Sequence, residues 1–377
     1  MKHLAGNTQQ KSLIFVSNSC WSMYNFRLPI LQHFLQQGYV VHVVATKDDF
    51  AVMLMDEGCK VHDVVFNNRH INPYEDVKLF FQLRNIYQQI RPIYIFHYFI
   101  KPNIYGSLAA ASLSIPSIPI VAGLGYAFIK KQWLLFAVKN LYKFAFRKIN
   151  HIWFLNAENA AVFKQLGIVP ESKIFILPSE GVDTNYFSPA VLKDKPAPFI
   201  FLMLTRMLQK KGVEVFAEAA ALLIQKGYNI ECRVMGFFEP HHPDTIPLQK
   251  LQKWKNRQLL HFLGFTKEVI VPLQQADCFV LPTIYNEGVP RSLLEAGSMQ
   301  IPLIATNQTG CREIIDHGVN GLLCNIGSIE SLATQMEKVM LMPLSQREEM
   351  GIASRAKIKT QFDIKIIINI YNNMVTA

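Results

Sequence analysis

Between residues 77 and 157 the chain has no aspartate or glutamate. Ten basic residues fall in that window: Lys78, Arg84, Arg91, Lys101, Lys130, Lys131, Lys139, Lys143, Arg147 and Lys148. A one-sign stretch of this length, in a chain of net charge +10, implies an acidic partner: nucleic acid, an anionic membrane or a phosphorylated substrate. No recognised nucleic-acid motif is present, and the aromatic residues sit among apolar neighbours, so nucleic acid is set aside. The six cysteines are scattered, without a C-x-x-C pair or zinc-type spacing. That excludes a cysteine-zinc module and favours free thiols in a reducing compartment over a disulfide framework. Long apolar runs are missing too. No stretch offers the ~20 apolar residues a spanning helix needs, and the nearest candidate, residues 107–125, is broken by Pro116 and Pro119. The N-terminus lacks the long apolar centre of a signal peptide. The expectation is a cytoplasmic protein that does not span a bilayer.

What is present is an alternation of apolar strands and amphipathic helices. "SLIFVSNS" starts the series, followed by a helix near residues 26–37, then "YVVHVVAT", "YIFHYF", "PIVAGLG" and "HIWFLN". After Pro189 the segment "AVLKDKPAP" has linker composition, and the alternation restarts with "FIFLMLTR", a helix over 213–225, "IECRVMG", "HFLG", "CFVLPT", "PLIAT" and "GLLC". Two such series predict an α/β chain of two Rossmann-like, doubly wound parallel-sheet domains facing a cleft. The expected domains are 1–189 and 190–377, with the last helix packing back on the first domain.

Residues 129–149, "IKKQWLLFAVKNLYKFAFRKI", predict a basic amphipathic helix. Lys139, Lys143 and Arg147 recur every four residues and share a face. Lys130 and Lys131 precede them, and Trp133, Phe136, Leu141, Tyr142 and Phe144 supply aromatic and apolar surface. Such a helix can lie in the plane of an anionic membrane. The alternative is a core-packed helix with a solvated basic edge.

The stretch "YNEGVPRSLLEAG" (residues 285–297) follows an apolar strand and places Glu287 and Glu295 eight residues apart. Pro290 suits the first turn of a helix. The amides of Arg291, Ser292 and Leu293 then point out of the helix end, where the dipole attracts an anion. Gly288 permits close approach of a ligand to the backbone. Acids flanking a positive helix mouth suit a polyol that carries phosphate, which is the form of a sugar nucleotide. In "LTRMLQKKG" (residues 204–212), Arg206 and Lys211 leave a strand end where open α/β sheets bind ligands, placed to clamp a diphosphate.

Together with "PSEGVDTNYFSP" (residues 178–189), these stretches resemble glycosyltransferase family 4, with its two-domain GT-B fold, retaining chemistry and nucleotide-sugar donors. "GFTKEVIVPLQQADCFVLPT" and "GCREIIDHGVNGLL" extend the resemblance, which covers nearly the whole chain. "MYNFRLPI", "KPNIYGSLAA" and "GLGYAF" resemble a bacterial branch that elongates undecaprenyl-diphosphate-linked sugars, typified by the N-acetylgalactosaminyltransferase that extends lipid-linked diacetylbacillosamine.

By that resemblance, Arg206 and Lys211 hold the donor diphosphate and stabilise the leaving group. Glu295 binds ribose hydroxyls and Glu287 the hydroxyls of the transferred sugar. The resemblance further implies that the amides after Gly288, at Val289 and onward, add to the phosphate site. No D-x-D occurs, and "KDDF" (residues 47–50) is only an adjacent pair. Metal-independent transfer with no cofactor is therefore expected. Many family members carry a histidine near the reacting carbon where this chain has "VAGLGYAF", so the N-terminal group that contacts the donor sugar stays open. His97, Lys101, Asn103 and Arg27 are candidates for the acceptor diphosphate, with structural or solvated roles as their alternatives.

The implied activity is transfer of a sugar, an N-acetylhexosamine by resemblance, from a UDP-sugar to a polyprenyl-diphosphate-linked saccharide. Its place is the inner face of the cytoplasmic membrane, in surface polysaccharide or glycan assembly. Two alternatives stand beside it. A UDP-sugar epimerase of the same architecture needs no membrane surface, and a non-catalytic membrane-binding scaffold needs neither glutamate.

Overall fold

A computed structural model describes residues 10–67, 72–123, 132–189, 198–240, 242–266, 268–285 and 288–376, with side chains from residue 135 onward in the helix Gln132–Ala145. Two compact units result, Met1–Glu180 together with Ile367–Ala377, and Gly181–Ile366. The division falls ahead of the linker-like segment, whose residues 190–197 lie outside the described residues.

The first unit holds seven strands: β1 Ser12–Val16, β2 Val40–Ala45, β3 Lys60–Asp63, β4 Tyr94–Tyr98, β5 Ser117–Val121, β6 Ile152–Phe154 and β7 Ile174–Ile176. They pair in parallel in the order β3-β2-β1-β4-β5-β6-β7. The central strands are near-continuous apolar runs because helices cover both faces. The outer strands β3 ("KVHD") and β7 are short and partly exposed, and neither belongs to the strand series expected above.

The first helix spans Cys20–Gln36, starting earlier than residue 26. Ser19 Oγ accepts from the Ser22 amide at 3.2 Å and so caps it. Tyr371 in the C-terminal helix Ile364–Thr376 belongs to the first unit. Its ring centroid lies 4.9 Å from Trp153 and 4.8 Å from Phe96, and its hydroxyl meets that of Tyr98 at 2.7 Å.

The second unit holds β8 Phe199–Leu204, β9 Ile230–Met235, β10 His261–Gly264, β11 Cys278–Leu281, β12 Leu303–Thr306 and β13 Leu322–Cys324. All pairings are parallel, in the order β10-β9-β8-β11-β12-β13. Its core is one apolar cluster in which the helix Val213–Gln225 contributes a nearly continuous buried face. All six cysteines are buried free thiols.

Candidate active site

Within the second unit, β8 and β11 are neighbours, with Cys278 opposite Phe201. From β8 the chain winds outward through β9 to β10, and from β11 it winds the other way through β12 to β13. The two connections therefore diverge at the carboxyl ends of β8 and β11, which opens a crevice of the kind that binds ligands in such sheets. Both sequence motifs of the C-terminal half leave from those strand ends.

Backbone bonds hold the two loops together. The Lys210 carbonyl accepts from the amides of Ile284 at 2.8 Å and Tyr285 at 3.2 Å. Gly212, at φ +83°, links the turn Gln209–Lys211 to the helix Val213–Gln225. A Cβ there would lie 1.9 Å from the Pro282 carbonyl oxygen, so only glycine allows this approach. The first loop is also tied to residues beyond β9, through Met207 N to Phe237 O at 2.9 Å and Lys210 N to Asp244 Oδ2 at 3.1 Å.

Arg206 stands just past β8, half exposed, with Nη1 donating to Glu239 Oε1 at 3.2 Å. The Nζ of Lys211 lies 5.7 Å from the Tyr285 ring centroid, and that of Lys210 lies 5.9 Å from it. The Tyr285 ring thus has both ammonium groups near it at the loop junction, where an aromatic face attracts cations. Neither Tyr285 nor Glu239 was singled out from the sequence. Tyr285 opens the glutamate stretch and Glu239 ends "GFFE", but which cations they meet depends on tertiary folding.

The glutamate stretch forms the helix Arg291–Ser298. Two expectations change here. Pro290 is the residue before the helix rather than within its first turn. Leu293 N donates to Pro290 O at 3.1 Å and Leu294 N to the same oxygen at 3.3 Å, so Leu293's amide faces inward and its side chain is buried. The Ser292 amide stays at the helix mouth, beside Arg291, Gly288 and Val289. Glu295 lies one turn inside, and its Oε1 accepts from Arg291 Nε at 2.8 Å. Burial pushes the Glu295 carboxyl above its ordinary value, while the Arg291 guanidinium opposes that rise. Glu287 lies outside the described residues.

In the first unit the acceptor candidates occupy interior networks. Arg27 is 2% exposed, ion-paired to Glu180, with its guanidinium carbon 4.0 Å from the Tyr98 ring centroid. It is neither a solvated cation nor a surface open to phosphate. His97 is fully buried, its Nε2 3.0 Å from the Tyr87 hydroxyl, and burial lowers its pKa to about 3. A Cβ at Gly106 would fall 2.4 Å from the His97 ring, so this buried imidazole is packed tightly against a glycine.

Lys101 Nζ meets Asp76 Oδ1 at 2.8 Å, and Tyr105 donates to the other oxygen of that carboxylate at 2.9 Å. Asn103 is buried and donates to Ile120 O at 2.9 Å, while its Oδ1 has no partner among the described residues. It sits in a π-helical turn, Pro102–Gly106, directly after β4, and such turns gather at functional positions.

Of the expected membrane residues, Lys130 and Lys131 and the side chain of Trp133 lie outside the described residues, as does "GLGYAF" beyond Gly123. Lys143 and Arg147 are exposed, and Lys139 is half-buried. Phe136 and Phe144 are 69% and 64% exposed, whereas Tyr142 packs into the core against Phe163 at 5.2 Å. Tyr142 is therefore removed from the expected apolar surface. Among the described residues no helix is long and apolar enough to cross a membrane, and no group of three metal-ligating side chains occurs.

Comparison with known proteins joins these observations. Residues 187–357 match the family model "Glycosyl transferases group 1", and residues 13–156 match "Glycosyl transferase 4-like". The chain is 29% identical over 374 residues to the N,N'-diacetylbacillosaminyl-diphospho-undecaprenol alpha-1,3-N-acetylgalactosaminyltransferase of Campylobacter jejuni, covering 95% of this chain and 96% of that one. It is 26% identical over 298 residues to the UDP-Gal:alpha-D-GlcNAc-diphosphoundecaprenol alpha-1,3-galactosyltransferase of Escherichia coli, covering 76% of each.

Among solved structures, a glycosyltransferase from Rickettsia africae superposes with a TM-score of 0.80 at 16% identity, over 97% of this chain and 98% of that one. The Anabaena protein HepE, in complex with UDP and glucose, gives 0.79 at 17%, over 97% of this chain and 100% of its own. The divergent parallel sheets and these matches have one reading: the chain is a glycosyltransferase with the GT-B fold, its two halves matching the group 1 and 4-like glycosyl transferase models.

Proposed function

We propose that the chain transfers a sugar from a UDP-sugar to a polyprenyl-diphosphate-linked saccharide, with retention at the anomeric carbon, in bacterial surface glycan assembly. The observation that carries this reading is the junction at β8 and β11. Two loops bonded through the Lys210 carbonyl leave the adjacent strands β8 and β11, and this supports a shared site for Arg206, Lys211 and the helix Arg291–Ser298 that follow those strands. The names of the Campylobacter jejuni and Escherichia coli relatives, each with a diphosphoundecaprenol acceptor, support the acceptor class.

In this reading Arg206 exchanges Glu239 for the donor diphosphate and Lys211 meets the same group. As the bond between anomeric carbon and phosphate oxygen breaks, negative charge grows on the departing diphosphate. Fixed cations stabilise it there without reorganisation. The amide of Ser292, at a helix mouth opened by Gly288, Val289 and Pro290 and flanked by Arg291, adds dipolar stabilisation. Glu295, oriented by Arg291, accepts from ribose hydroxyls, and Glu287 accepts from the transferred sugar. The acceptor hydroxyl forms the new bond, and its proton leaves with the diphosphate.

The charge requirement is met by side chains and amides, so transfer is proposed to proceed without a divalent metal. Lys143, Arg147 and the exposed Phe136 and Phe144 are proposed to rest on anionic lipid at the inner face of the cytoplasmic membrane, joined by Lys130, Lys131, Trp133 and Lys139.

The test is transfer of radiolabelled sugar from a set of UDP-sugars to polyprenyl-diphosphate-linked saccharides, with and without EDTA. Label should appear in the lipid phase under both conditions, with the product's anomeric configuration matching the donor's. A folded preparation that transfers no sugar from any nucleotide donor overturns the assignment.

A further inference from the structure

At the end of the first unit's sheet where its strands begin, a half-open crevice of about 310 Å³ lies between the starts of β4, β5 and β6. It is the opposite edge from the one carrying Lys101 and Asn103, which follow the end of β4. Its polar lining is Tyr94, Ser114, Ser117, Lys148, Asn150 and His151, over an apolar floor that includes the buried Ile149. Every lining residue falls inside the acid-free window, so no carboxylate contributes to the wall. Lys173 donates to the Arg147 carbonyl at 3.0 Å and brings a further cation beside Lys148.

One side chain makes this more than a basic surface. Ser117 is only 7% exposed, lines the crevice, and its Oγ has no partner among the described residues. A buried hydroxyl left unpaired is costly, so its retention beside two basic side chains indicates an acceptor that comes from outside the chain. Ser114, at φ +57°, turns the backbone between the helix Ser107–Ser112 and β5 and sets the other wall. The set comprises a buried hydroxyl donor, a phenol, an amide, an ammonium and an imidazole, with no competing acid. It suits a tetrahedral anion with several acceptor oxygens.

We propose that this crevice binds a phosphate group, at a site separate from the donor crevice of the second unit. The phosphate has two possible sources: a small phosphate ester, or the headgroup of an anionic lipid. The exposed Phe144, four residues before Lys148, would accompany a lipid. Nothing in the inference depends on the catalytic reading.

The experiment is calorimetric titration of the full chain with inorganic phosphate, in a Lys211→Ala background so that the second unit's crevice contributes little. Alongside it runs co-sedimentation with phosphatidylcholine vesicles with and without phosphatidic acid. Saturable phosphate binding should weaken about tenfold in Ser117→Ala, the usual scale for one hydrogen bond to a charged group. It should weaken further in Lys148→Ala/His151→Ala. Ser117→Ala removes an unpartnered hydroxyl and should leave the melting temperature unchanged, which separates lost binding from lost folding. Phosphatidic acid vesicles that retain the chain, release it on addition of phosphate and lose it in the same variants identify the lipid headgroup as the source. Variant-sensitive phosphate binding with no variant-sensitive vesicle binding identifies the ester. Phosphate affinity unchanged by both variants, or no saturable binding to either probe, overturns the site.

Discussion

The Lys210 carbonyl accepts from the Ile284 amide at 2.8 Å, and this bond joins the loop after β8 to the loop after β11. Gly212 makes the approach possible, because its missing Cβ would stand 1.9 Å from the Pro282 oxygen. Gly212→Ala should therefore cost at least ~2 kcal/mol of stability, combining the penalty of positive φ with displacement of the Pro282 carbonyl. Urea denaturation measures the first loss. A nucleotide-sugar thermal-shift series should show the accompanying loss of donor binding, since the junction itself has moved.

The exposed cations should behave in the opposite way. Arg206 is 50% exposed and its pair with Glu239 lies at the surface, so Arg206→Ala should change stability by no more than ~0.5 kcal/mol. If it stabilises the departing diphosphate, kcat/KM should still fall by ~100-fold or more, and Lys211→Ala likewise. Steady-state transfer kinetics paired with melting curves test both statements. A variant that melts normally and transfers normally removes that residue from the mechanism.

Glu295 carries a pH signature. Its carboxyl is raised from 4.5 by burial, with Arg291 opposing. A raised carboxyl binds its proton more tightly in the folded state, so the stability it contributes is complete below 4.5 and is lost as pH rises through the folded pKa. Glu295→Gln should abolish that fall, flattening the melting temperature against pH above 4.5. Arg291→Ala should shift the fall to higher pH, because the opposing cation is gone. Donor affinity should drop in Glu295→Gln even where stability rises.

The order of chemistry along the chain made much of this legible. Apolar strands alternating with helices disclosed two doubly wound sheets. An apolar strand running into Thr205-Arg206, and another leading toward Glu287 and Glu295, marked the loops that follow β8 and β11. Contacts made by residues distant in sequence were not legible. His97 stands near the end of β4 and Arg27 in the helix after β1, places where ligand-contacting residues occur, yet one is packed against Gly106 and the other is paired with Glu180. Helical spacing identified the stripe on Gln132–Ala145 but not that Tyr142 turns inward while Phe136 and Phe144 turn out. The strand β3, half polar and at a sheet edge, carries little of the apolar signal by which its neighbours were found.

The outward residues of that helix, with Arg147 in the turn just after it, give a membrane prediction. Lys143→Glu/Arg147→Glu reverses two exposed charges, each attractive charge near an anionic bilayer being worth ~1 kcal/mol. Co-sedimentation with anionic vesicles should fall by at least ~tenfold, and should fall further with salt in the unaltered protein. Transfer to a short, water-soluble acceptor should be unchanged. Equal retention of both proteins on vesicles removes the helix from the membrane surface.

Arg27 offers the sharpest test of what holds the first unit together. Its guanidinium is 2% exposed, paired with Glu180, and lies over the Tyr98 ring, whose hydroxyl meets Tyr371. Glu180→Ala leaves a buried cation without its carboxylate, which should cost ~3–5 kcal/mol. Arg27→Met removes that cation as well, so the double variant Arg27→Met/Glu180→Ala should be more stable than Glu180→Ala alone. The measurement is a double-mutant cycle by urea denaturation. Additive effects would mean that the two side chains do not interact in the folded protein. A coupling of the expected sign would give Arg27 the structural role and leave recognition of the acceptor diphosphate to other cations.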